Sequence, residues 1–117
     1  MARFEISGGD LRLRLSWVEK LEGARGDVVV PLTSVADVRA VPNGWPELRG
    51  IRAPGTGLPG VIAVGTRRGR FGKDFVVVHG KGPAVIVELD GAAFSRLMAT
   101  VPDPEETVAA IVGVTGR

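Results

Sequence analysis

Two runs near the start of the chain alternate apolar and polar residues with a period of two, and that period restricts the backbone to strands. Phe4 and Ile6 share one face of Arg3–Ser7, and Leu11, Leu13 and Leu15 share one face of Leu11–Ser16. Gly8-Gly9-Asp10 between them is tight-turn chemistry, so the pair predicts an antiparallel hairpin with one buried side. The remaining sequence is cut into similar lengths. With 17 Gly and 8 Pro in 117 residues, long elements are excluded and many short strands are expected. Further strands are predicted at Asp27–Val30, stopped by Pro31, and at Val35–Val41, Val61–Thr66, Asp74–His79 and Ala84–Leu89. Val76, Val77 and Val78 run without alternation, which fits a strand covered on both faces. The connectors RRGRFGK and GKGP are short enough for hairpins.

Helix signals are few. Trp17–Glu22 can form one helical turn, and Pro46 suits the start of a short helix with Trp45, Leu48 and Ile51 along one side. The C-terminal segment, about 103–113, is the clearest. Asp103 can cap it, Pro104 takes the first helical position, and Glu106 completes a capping-box spacing. Val108, Ile111 and Val112 then form the apolar stripe, and Gly113 and Gly116 fray the end. Residues 1–117 are read as a single domain, long enough to bury roughly two thirds of the unfolded surface.

Composition excludes several kinds of chemistry. There is no Cys, hence no disulfide, thiolate metal site or thiol nucleophile, and His79 is the only histidine. His79 ends a strand and is expected to face water; as a general base it would need a neighbour such as Asp74 or Glu88. No catalytic, metal or cofactor residue is assigned. MARFEISGGD lacks an apolar core of signal-peptide length, and no apolar run approaches the roughly 18 residues of a membrane span, so a cytoplasmic location is expected. Gly55-Thr56-Gly57-Leu58-Pro59-Gly60 matches G-x-G-x-x-G, but Pro54 and Pro59 interrupt it and a strand follows where a dinucleotide site needs a helix. That segment is read as a turn-rich loop.

Charge is concentrated in the middle of the chain. Arg49, Arg52, Arg67, Arg68, Arg70, Lys73 and Lys81 face Asp74 alone, a local net of +6 in a chain of net +2. An anionic partner would dock there. In the RRGRFGK hairpin, Phe71 stands among Arg67, Arg68, Arg70 and Lys73, either as an apolar tip that inserts into lipid or as a ring folded back on the protein. Folding back is the favoured reading, since solvated basic loops are common. Nucleic acid is disfavoured: aromatic residues make up 5% of the chain, with no Tyr, and base stacking needs exposed rings among the cations. Trp17 and Trp45 are expected in the core or at a subunit contact.

The strand–kink–strand of Val30-Pro-Leu-Thr-Ser-Val-Ala-Asp-Val38, the strand Gly60-Val-Ile-Ala-Val-Gly65 and the close Phe94-Ser-Arg-Leu-Met-Ala-Thr-Val-Pro-Asp-Pro-Glu-Glu106 together resemble bacterial pleckstrin-homology-like (PH-like) domains. The chain also resembles small proteins of GC-rich, actinobacterial-type genomes, of unassigned role, that share the Ala53-Pro-Gly-Thr-Gly57 and Asp103-Pro-Glu105 segments. The resemblance implies a mostly β fold: an antiparallel half-open barrel or sandwich capped by one C-terminal helix. It implies a non-enzymatic platform for protein contact or homo-oligomerisation. The first hairpin loop, Gly8-Gly9-Asp10, lacks the basic residues with which eukaryotic members hold phosphoinositides. Two alternatives stand beside this expectation. One is peripheral association with anionic lipid through the basic 67–73 hairpin, the candidate contacts with an anionic partner or lipid being Arg49, Arg52, Arg67, Arg68, Arg70, Phe71 and Lys73; the other is a small ligand in a barrel mouth.

Overall fold

The computed structural model describes residues 2–116, and for residues 52–54 the backbone alone. The expected first hairpin forms: β1 (Arg3–Ser7) pairs antiparallel with β2 (Asp10–Arg14), and β3 (Val28–Pro31) adds to β2. Between them, α1 (Trp17–Glu22) makes a single helical stretch. A 3₁₀ turn at Leu32–Ser34 kinks the chain into a second sheet. That sheet contains β4 (Val35–Val41), β5 (Ile51–Leu58), β6 (Ile62–Gly69), β7 (Gly72–His79), β8 (Ala84–Leu89) and β9 (Arg96–Thr100). Its order is β4-β8-β9-β7-β6-β5, and α2 (Pro104–Thr115) follows. The protein is therefore mostly β, a three-stranded and a six-stranded sheet with a C-terminal helix packed on β4 and β8.

Alternation decides which side chains meet. Leu11, Leu13, Val28 and Val30 of the small sheet face Val64, Phe75, Val77, Val85, Val87, Leu97 and Ala99 of the large one. Ile111 closes this core from α2, helped by Val108 and Val112. The other face of the large sheet has its own smaller core of Ala63, Val76, Val78, Ala84, Ile86 and Met98, covered by Val41, Trp45 and Leu48. Val76, Val77 and Val78 are thus buried from both sides, as their unbroken run predicts.

Several expectations are corrected. The Gly/Pro segment read as a loop is the edge strand β5, paired to β6 with a bulge between Arg52 and Gly55. Gly55 has φ +151°, and a Cβ there would strike the Val64 carbonyl, so glycine is what lets the strand pass the bulge. The GKGP connector does not close a hairpin. β9 lies between β7 and β8, parallel to β7 and antiparallel to β8, so the connector spans two strand spacings, about 9.6 Å. This one parallel pair departs from an all-antiparallel arrangement. Pro46 starts only a 3₁₀ turn, Trp45–Glu47, and Ile51 is exposed at the start of β5. The Asp103 side chain makes no capping bond; its carbonyl accepts from Thr107 N and Oγ1. The helix runs through Gly113 to a left-handed Gly116, whose N–H reaches the Val112 carbonyl. No helix among the described residues is long and apolar enough to cross a membrane.

Candidate functional site

The β6–β7 hairpin carries a basic tip and, at its other end, an acidic cleft. Its strands are eight residues long, which separates the two ends by about 23 Å.

At the tip, much of the predicted cationic group is committed to the fold. Arg49 makes a two-pronged ion pair with Asp74, Nε to Oδ2 at 2.6 Å and Nη2 to Oδ1 at 3.0 Å. Asp74 is 1% exposed. These hydrogen bonds are the main reason Arg49 is held above its usual pKa, against the opposing effect of burial. The same guanidinium lies 4.0 Å above the centre of the Phe71 ring. Phe71 therefore folds back, and its carbonyl accepts from Ser95 Oγ at 2.6 Å. Arg67 donates to the carbonyls of Arg49 and Gly50, and Lys73 Nζ sits 4.8 Å from the Phe94 ring centre. Arg68 and Arg70 remain exposed, with no side-chain partner among the described residues. The side chain of Arg52 lies outside the described residues, but its backbone is paired with Arg67.

Cross-strand register explains this arrangement. Asp37, Glu88, Arg96, Asp74, Arg67 and Arg52 occupy one row across all six strands of the large sheet. The row holds three acids and three arginines, and at its centre Glu88, Arg96, Asp74 and Arg67 alternate in sign from strand to strand. Arg96 grips Glu88 with bonds of 2.9 and 2.8 Å, and Arg39 reaches Glu88 at 3.0 Å. Burial alone would push the Glu88 carboxyl up; the bonds from Arg96 and Arg39 outweigh it and hold it below its ordinary value. Local sequence counting includes Asp74 in the basic segment but does not show that it is spent on Arg49, or that Arg67 is tied to carbonyls.

At the other end, Ser16 and Glu19 form a full capping box at the start of α1. Ser16 N donates to Glu19 Oε1 at 2.8 Å and Glu19 N to Ser16 Oγ at 3.2 Å. Glu19 is 2% exposed, and its Oε2 accepts from Ala2 N at 3.2 Å and His79 Nε2 at 2.9 Å. Burial raises its pKa, but the donors from Ser16 and His79 prevail and leave it lowered. His79 is thus half-buried and bonded to Glu19 rather than free in water, and neither Asp74 nor Glu88 is its partner. The sequence signal for this site is the S-x-x-E spacing of Ser16 and Glu19. Nothing local marks its pairing with a histidine 60 residues away.

Ser16, Val18, Glu19, Glu22, Ile62 and His79 line an open cleft of about 410 Å³. Glu22 Oε1 is buried and accepts no hydrogen bond from the described residues. The helix that carries half of this lining is itself apolar on its surface: Trp17 is 72% exposed and Leu21 71%, with Val18 also exposed. Trp17 is therefore not a core residue, whereas Trp45 is half-buried and donates from Nε1 to the Gly80 carbonyl at 2.7 Å. No group of three His, Asp or Glu among the described residues is arranged to hold a metal ion. In comparisons with known proteins, no family model, curated protein or solved structure matches this chain significantly.

Proposed function

We propose that this chain is a non-catalytic, PH-like binding module that works by associating with itself. The PH-like part rests on the strand–kink–strand at Val30–Val38 and on the amphipathic helix after the last strand. The observation that carries the functional reading is the apolar surface of α1, the helix beside the cleft. Trp17 and Leu21, one helical turn apart, project into solvent from a six-residue helix. Exposed apolar groups of this size set together on one helix face mark a contact surface. Self-association is tested by sedimentation velocity over a concentration series. The wild-type chain is expected to form a discrete oligomer, and Trp17→Ser with Leu21→Ser to shift it to monomer without loss of folded signal. A wild-type chain that stays monomeric at every concentration would refute the reading.

Anionic lipid is a second reading, favoured by the unpaired Arg68 and Arg70. Two such cations contribute about 2 kcal/mol at an anionic surface. Phe71, held under Arg49, adds no insertion from this conformation. Lipid binding is therefore expected to be weak and lost in moderate salt.

A further inference from the structure

We infer that the self-association is an antiparallel pairing in which the basic hairpin tip of each copy docks against the α1 cleft of the other. This rests on the self-association reading and specifies its contact. The tip offers Arg68 and Arg70 without side-chain partners, and beside them Ile51, 76% exposed and paired with Arg68 in the β5–β6 register. It is an apolar residue flanked by guanidinium groups. The cleft offers the complement: Val18 and Ile62 as apolar walls, with Trp17 and Leu21 exposed on the same short helix to extend the contact, no Lys or Arg among the described residues that line it, and the carboxylate of Glu22 with one buried oxygen lacking a donor. An arginine N–H is the kind of donor that oxygen lacks, and charge-assisted bonds of this type are the stronger ones.

Geometry allows both contacts at once. Ile62 and Arg68 are six apart on β6, so with a period of two they point to the same face of the strand. Cleft and tip therefore lie along one side of a single hairpin, at opposite ends. Two copies laid side by side and head to tail bring each tip to the other's cleft, and the two identical contacts close the assembly as a dimer. The committed cations Arg49 and Arg67 need not move, because their partners are within their own chain.

Charge exchange between variants tests this. Arg68→Glu with Arg70→Glu alters only exposed side chains, so the fold is expected to persist; Glu22→Lys reverses the cleft. Should Glu22→Lys fail to fold, Val18→Lys at a 44% exposed position carries the same test. Each variant alone is expected to dimerise at least tenfold more weakly than wild type in sedimentation velocity at low salt. An equimolar mixture is expected to recover a heterodimer, because the acidic tip then meets the basic cleft and the basic tip meets the acidic cleft. If the wild type dimerises and the tip variant matches it, or the mixture fails to recover, the tip-to-cleft contact is wrong while self-association stands. If the wild type never dimerises, both fall. Binding of Arg68 and Arg70 to phosphatidylserine vesicles by a strictly monomeric chain would likewise overturn both.

Discussion

Glu19 is the residue whose environment reaches furthest. It caps α1, ties the N-terminal segment through Ala2 N and holds His79, all with one buried carboxylate. Its lowered pKa has a definite sign in stability. The unfolded chain binds its proton near the ordinary value of 4.5, and the folded chain only at lower pH. The stabilisation is therefore complete well above 4.5 and is lost as pH falls through the folded-state value. Asp27 and Glu88 are lowered too and add to the same acid limb, so a variant comparison is needed to isolate Glu19. Glu19→Gln is expected to cost about 2 kcal/mol at pH 7, the scale of hydrogen bonds to a charged group. Urea unfolding of both proteins at pH 7 and again below pH 4 checks it. The gap is expected to narrow in acid, and an unchanged gap would mean that the carboxylate gains nothing from ionisation in the fold.

At the level of elements, the sequence was legible wherever alternation or helical spacing is local. β1, β2, β4, β7, β8 and α2 lie within a residue or two of their predicted spans, because each buries one face or both against a neighbour. β5 was missed because its strand conformation depends on β6. Its Gly and Pro carry turn propensity, and only the paired edge overrides it. The tip was half legible. Its basic residues are there, but the acid that disarms Arg49 belongs to β7, and the ring beneath Arg49 is Phe71 itself. Gly50 makes that fold-back possible. Its φ is +77°, and an added Cβ would strike the Arg68 carbonyl and lie 2.7 Å from Phe71 Cζ. Gly50→Ala is therefore expected to destabilise by more than about 1 kcal/mol. The Phe71 ring should be displaced as well, read as shifted aromatic proton resonances in NMR. A stable variant with unshifted Phe71 resonances would show that the ring does not pack against Gly50.

For the whole molecule, the decisive feature is that the last strand is one of the two central ones, beside β7. β8 and β9 form a local hairpin closed by the Leu89 N–H to Ser95 carbonyl bond. That hairpin then docks through β9 onto β7, while the outer side of β8 takes β4. No local pattern announces this, since an inserted parallel strand and a plain meander use the same alternation. It does fix where stability resides. Leu97, Met98 and Ala99 are fully buried between the two cores, and their backbone is paired on both sides. β5 has a partner on one side only and is broken by a bulge. Native-state hydrogen exchange is therefore expected to divide the large sheet. Amides of β7, β8 and β9 should exchange only through global unfolding, and those of β5 through local opening at a small fraction of that free energy. Measured in dilute protein, so that association protects neither surface, β5 amides as slow as those of β9 would contradict this placement. Rapid exchange of Met98 would do so more directly, because that strand holds the two halves of the sheet together.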